Sequence, residues 1–194
     1  MAETSVVETG PVYHTADMVR ALIREDRHWP RHELVHGELL VTPAPRAAHQ
    51  DVVAHLAHAL MSYLERARPP LHVYLSPADV SWGPDTLVQP DVFVVPIEEA
   101  REARARSWPA VHTLVLVAEV LSQSTAKHDR FTKRRLYQER GVALYWIIDI
   151  DAGRVEIWTP EARFPEYERD QLVWYPTGAA APFTLPLAEL FRPI

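Results

Sequence analysis

Eight consecutive residues, Leu114-Val115-Leu116-Val117-Ala118-Glu119-Val120-Leu121, are apolar at every position but one. A strand with one wet face alternates polar and apolar side chains, so this run reads as a central strand covered on both sides. The chain must therefore supply cover for two faces of a sheet. The run also isolates Glu119, because an ionised carboxylate is costly to bury unless a cation or several donors compensate it. Two readings follow: a salt bridge to an arginine on a covering helix, or a metal ligand or catalytic acid or base.

Helical cover is legible elsewhere. Val52, Val53, Leu56, Leu60 and Leu64 recur at helical spacing within residues 47–67, and Pro69-Pro70 stops that helix. A second helix is expected from Lys127 to Arg140, ending at Gly141 as a C′ residue. A short one carrying Met18, Val19, Leu22 and Ile23 would be capped by Thr15. Two apolar runs flank His36-Gly37 and suggest a tight hairpin over 33–41. Further strands are expected at 71–75, 78–82, 92–95, 143–150, 155–159 and 171–175, before a proline-rich C-terminal segment. This order implies an α/β fold, one central mixed β-sheet flanked by helices. Residues 1–13 read as a loose tail and 14–194 as a single domain, for which 47% apolar residues suffice.

The formal charge of −6 counts against a protein that coats nucleic acid, since phosphate neutralisation supplies most of such affinity. It does not exclude an enzyme that gathers carboxylates around metal ions. The charged segment 97–108 reads as a solvated helix or loop, with a phosphate-contacting patch as its functional alternative. There is no cysteine, which removes disulfides, thiolate metal sites and a cysteine nucleophile. No apolar run reaches the roughly 18 residues of a membrane span, and the acidic start lacks a secretory pattern. A cytoplasmic protein without membrane association is expected.

Four further residues join Glu119 as candidates. Pro90 presents Asp91 at the mouth of the strand Val92-Phe93-Val94-Val95, although a lone aspartate there reads first as a turn cap. Glu38 follows the hairpin turn and is either solvent-facing or a third carboxylate for a hard cation. Lys133 is one of only two lysines against eighteen arginines. It shares a helical face with Asp129 and Tyr137, where it makes either an exposed ion pair or a compact charge for a reacting phosphate or water. His49, before Val52 and Val53, reads as capping its helix or orienting a ligand rather than binding metal directly. Zinc-hydrolase HExxH spacing, phosphate-binding glycine loops and GxSxG are all absent. Paired carboxylates also serve glycoside hydrolysis, which needs a sugar cleft lined by aromatics, for which Trp146, Trp158 and Trp174 are available.

The segments Glu33-Leu34-Val35-His36-Gly37-Glu38-Leu39, His49-Gln50, Gln89-Pro90-Asp91-Val92, Ala118-Glu119-Val120-Leu121-Ser122 and Asp129-Arg130-Phe131-Thr132-Lys133 occur in that order. They are followed by the run from Tyr137 to Asp149. Together they resemble the Uma-type restriction endonuclease family, formerly a domain of unknown function, within the PD-(D/E)xK nuclease superfamily. The resemblance implies a restriction-endonuclease-like core. It implies a metal-dependent endonuclease that hydrolyses phosphodiester bonds of DNA with Mg²⁺ or Mn²⁺. Asp91 and Glu119 would bind the metal, with the Val120 carbonyl as a further ligand and Glu38 binding or orienting a second ion. The superfamily lysine is expected two residues after Glu119, where this chain has Leu121, and Lys133 is the candidate replacement. A homodimer would suit cutting of both strands. The missing lysine and the net acidity favour the alternative, a non-catalytic nuclease-like module that binds DNA or a protein partner.

Overall fold

A computed structural model describes residues 13–25 and 30–193. The expected tail therefore lies outside the described residues, apart from Tyr13. Helix α1 (Ala16–Glu25) leads to the hairpin β1 (Arg31–Val35) and β2 (Glu38–Thr42), and then to the long helix α2 (Ala47–Ala67). Strands β3 (Leu71–Leu75) and β4 (Val92–Pro96), helix α3 (Ile97–Arg106) and strand β5 (Leu116–Val120) follow. A π-helical segment (His128–Lys133) runs into α4 (Arg134–Glu139), then β6 (Leu144–Asp149), β7 (Arg154–Trp158) and β8 (Glu166–Glu168). The hairpin of β9 (Gln171–Trp174) and β10 (Phe183–Pro186) and the short helix α5 (Leu187–Leu190) close the chain.

The central sheet has six strands in the order β3-β4-β5-β6-β7-β8. Only β5 and β6 are parallel, joined by the helical crossover, and the other neighbours are antiparallel. This is the mixed sheet with flanking helices that the apolar run at 114–121 demands. All five residues of β5 are buried.

Each face of the sheet has its own core. Val92, Val94, Leu116, Ala118 and Val120 pack against Val52, Leu56, Leu60 and Tyr63 of α2. Phe93, Val95, Val117 and Tyr145 pack against Leu136 and Tyr137 of α4 and Ala100 and Ala103 of α3. Trp146, Trp158 and Trp174 are all buried in these cores, so none lines a sugar cleft.

Local signals explain most element ends. Thr15 Oγ1 accepts the Met18 N–H at 3.3 Å, the expected cap. His36 and Gly37 both have positive φ, 49° and 80°, as a two-residue type I′ hairpin requires. At Gly141 (φ 67°) the Gly141 and Val142 N–H groups donate back to Gln138 and Tyr137, a Schellman ending.

Three expectations need correction. The strand expected at 78–82 is a single bridge between Val80 and Val88, because Gly83-Pro84 turns the chain at once. The proline-rich C-terminal segment is ordered into β10 and α5, with Pro186 at their junction. The helix expected over 127–140 is π-helical in its first half. The carbonyls of Asp129 and Arg130 there accept the Tyr145 hydroxyl at 3.1 Å and the Arg134 Nε–H at 2.9 Å.

Candidate active site

Because β4 and β5 are antiparallel, the start of one lies beside the end of the other. Asp91 precedes β4 and Glu119 is the next-to-last residue of β5, so the register that pairs Val92 with Ala118 sets the two carboxylates side by side. Backbone groups tie them together. The Asp91 N–H donates to Glu119 Oε2 at 3.3 Å, and the Val120 N–H donates to Asp91 Oδ2 at 3.0 Å. Both residues are buried on the α4 side of the sheet, the side of Phe93 and Val117.

Lys133 enters from the π-helical segment. Its Nζ lies 2.9 Å from Glu119 Oε1, 2.9 Å from Glu33 Oε2 and 3.7 Å from Asp129 Oδ1. The Tyr137 hydroxyl, one turn on, donates to Glu119 Oε1 at 3.1 Å. The exposed Asp129–Lys133 pair weighed above is therefore a buried one, with both side chains under 5% exposed.

On the opposite flank, Arg31 donates to Asp91 Oδ1 at 3.0 Å and to the Gln89 carbonyl. His49 Nε2 lies 3.1 Å from Asp91 Oδ2, so this histidine contacts the carboxylate from the first turn of α2.

Of these groups Arg31, Glu33, His49, Asp91, Glu119, Asp129 and Lys133 line one cavity of about 220 Å³, together with residues 42–46 and 122–125. Asp91, Glu119, Val120 and Lys133 come together there, with His49. Glu38 does not. It shares a face with Glu33 but sits at the turn end of the hairpin, exposed and about 7 Å further along the strand. The third carboxylate is Glu33 on β1, and Asp129 is a fourth. Both lie in segments that carry the family resemblance, 33–39 and 129–133, but spacing along a hairpin does not say which end meets the sheet.

Burial pushes the Asp91 carboxyl up, but the His49 hydrogen bond, the Arg31 charge and the Val120 N–H outweigh it and hold it well below the usual carboxylate range. At Glu119 burial acts in the same direction as the neighbouring Asp91, Asp129 and Glu33 charges. Lys133 offsets these only in part, so the carboxyl is held well above the usual range. Burial likewise pushes Asp129 up to about 6, against the pull of Lys133 and a Thr125 hydrogen bond. Burial pulls Lys133 down, but Glu119, Glu33 and Asp129 raise it further, and the ammonium stays charged. Adjacent carboxylates with oppositely displaced pKa values are the arrangement from which acid and base roles are drawn.

Four carboxylates face the cavity with three cations, Arg31, Lys133 and the exposed Arg46, an excess of one negative charge with all ionised. Hard oxygen donors with that excess suit a hard divalent cation. Among the described residues no three His, Cys, Asp or Glu side chains converge as a ready-made cage. The fit is to the sparser pattern in which one or two carboxylates bind Mg²⁺ and waters or substrate phosphates complete the shell.

A family profile described as "Putative restriction endonuclease", Uma2, matches residues 16–188. The chain belongs to the Uma2 family. Among solved structures, a "putative nuclease belonging to DUF820" from Anabaena variabilis has a TM-score of 0.67 at 23% identity, over 84% of this chain and 90% of that one. That likeness is one of fold. No curated protein matches the chain. The matched Uma2 segment contains every cavity residue named above, and among its described residues no helix is long and apolar enough to cross a membrane.

Proposed function

We propose that this Uma2 protein is a metal-dependent endonuclease that hydrolyses phosphodiester bonds of DNA. The observation that carries the reading is the buried Asp91–Glu119 pair with the Lys133 ammonium 2.9 Å from Glu119, at the floor of a cavity open to solvent. Asp91, Glu119 and the Val120 carbonyl are the groups that would hold Mg²⁺ or Mn²⁺. A bound divalent ion supplies a water of lowered pKa and polarises the scissile phosphate.

The chain's own groups do the rest. Arg31 and His49 keep Asp91 ionised and oriented, and Tyr137 fixes Glu119. Lys133 brings positive charge to where negative charge develops on the phosphoryl oxygens as water adds and a P–O bond breaks. Leu121, half-buried against the α4-side core, stands where the superfamily lysine is expected, and Lys133, reaching inward from the helix, is the residue proposed to serve in its stead.

The test is a calorimetric titration of Mg²⁺ or Mn²⁺ into wild type, Asp91→Ala and Glu119→Gln, with nicking of supercoiled plasmid in the same buffers. Binding and nicking that disappear together in the variants support the reading. Cleavage by Glu119→Gln at the wild-type rate overturns it. Metal-independent, salt-sensitive DNA binding without scission would instead make the protein a non-cutting module.

A further inference from the structure

Glu33 is, with Asp129, a carboxylate that the proposed reaction leaves without a task. Its side chain is 2% exposed, a costly position for a charge that does nothing. Its two oxygens have separate partners. Oε1 accepts the backbone N–H of Gln89 at 2.8 Å, and Oε2 meets Lys133 Nζ at 2.9 Å. Gln89 lies two residues before Asp91, so one carboxylate joins the β1–β2 hairpin, the strand segment that presents Asp91, and the helix that carries Lys133.

A lysine on a helix has four rotatable bonds between its backbone and its charge, and ordering such a side chain carries one of the larger side-chain entropy costs. An ammonium delivered to Glu119 from β5 itself would need no outside anchor. One delivered from the π-helical segment does, because Glu119 alone fixes a distance and not a direction. Glu33, also at 2.9 Å, is the second fixed point. Asp129, at 3.7 Å, is beyond hydrogen-bonding reach.

We infer that Glu33 is a positioning residue, not a metal ligand: held by the Gln89 N–H, it fixes the Lys133 ammonium against Glu119 and leaves its third N–H for a water or a phosphate oxygen. The reaction in which Lys133 serves is the proposed one, but the placement of the ammonium is testable without it.

The chain has only two lysines, so protein labelled with ¹⁵N-lysine gives two ammonium signals, with exposed Lys127 as the internal reference. In wild type the Lys133 signal is expected to be sharp and slow to exchange, unlike that of Lys127. Glu33→Gln keeps an acceptor for Gln89 but removes the anion. In that variant the Lys133 signal should broaden or disappear, while Mg²⁺ affinity by calorimetry stays within about twofold. The plasmid-nicking kcat should fall roughly 10- to 100-fold with KM unchanged, the size seen when a group supporting a site residue is lost. Glu33→Asp, with its carboxylate drawn back by one methylene, should shift the signal without abolishing it.

An unchanged Lys133 signal in Glu33→Gln overturns the inference. So does a tenfold loss of Mg²⁺ affinity, which would make Glu33 a ligand. A wild type that binds Mg²⁺ but cuts nothing refutes the proposed endonuclease, and the ammonium signal still decides the role of Glu33.

Discussion

The two faces of the central sheet are built from alternate residues of the same strands, yet they bury different things. On the α2 face Val92, Ala118 and Val120 meet Leu56 and Leu60, and the core is apolar throughout. On the α4 face the sheet end carries Asp91 and Glu119 to meet Lys133 and Asp129, with Glu33 alongside. Burial on the first face yields transfer free energy, about 25 cal/mol for each Å² of apolar surface removed from water. Burial on the second displaces pKa values and holds charges in fixed directions, which is what chemistry on a phosphate needs. Both faces hold the molecule together through apolar cores, and the end of the α4 face adds groups that stability alone would not select.

The sharpest way to break this contrast is to remove the ammonium that Glu119, Glu33 and Asp129 share. Lys133→Met should cost on the order of 3–5 kcal/mol in urea unfolding at neutral pH, because Glu119, Glu33 and Asp129 are left buried without it. The loss should shrink as pH falls toward 5 and Asp129 and Glu119, both held above the usual carboxylate range, protonate. A pH-independent loss would mean that Lys133 matters only for packing.

On the other face, Leu60→Ala should cost roughly 2–5 kcal/mol through the cavity it leaves. Urea midpoints at pH 5 and pH 8 should show the same loss, and Mg²⁺ should not restore it.

Asp129 gives a prediction with a defined window. Its folded pKa of about 6 lies above the ordinary 3.8, so its contribution to stability is present below about pH 4 and is lost as pH rises through 6. The displacement corresponds to about 3 kcal/mol at most. Between pH 4 and 7.5, wild type should therefore lose stability relative to Asp129→Asn by up to that amount. Asp91, displaced downward, contributes stability that is lost at acid pH in both proteins and cancels in the comparison. Parallel pH profiles for the two proteins would place Asp129 outside the buried cluster.

The smallest effect belongs to neither face. Arg101, exposed on α3 and paired with Glu98 at 2.8 Å, should cost less than about 0.5 kcal/mol when changed to Ala. A larger loss there, or a change in nicking, would revive a phosphate-contacting role for the charged helix.

The amino-acid sequence by itself determined the elements that local physics controls. The run 114–121, apolar but for Glu119, required a doubly covered strand, the 3.6-residue period set α2 from Ala47 to Ala67, and His36-Gly37 and Gly141 marked turns that need positive φ. Asp91 and Glu119 were legible because a charge in or beside an apolar strand is costly without a purpose. Tertiary structure decided which carboxylates share the site. Glu33 and Glu38 lie on one face of one hairpin, and only the docking of that hairpin through the Leu34–Leu87 bridge carries Glu33 to Lys133 and leaves Glu38 in solvent. It also decided that Asp129 and Lys133 are buried rather than exposed, since an i,i+4 spacing states that two side chains are neighbours and not what covers them. Local pattern fixes the direction of a side chain within its own element. Long-range packing sets what that side chain meets, and for ionisable groups this sets charge and chemistry.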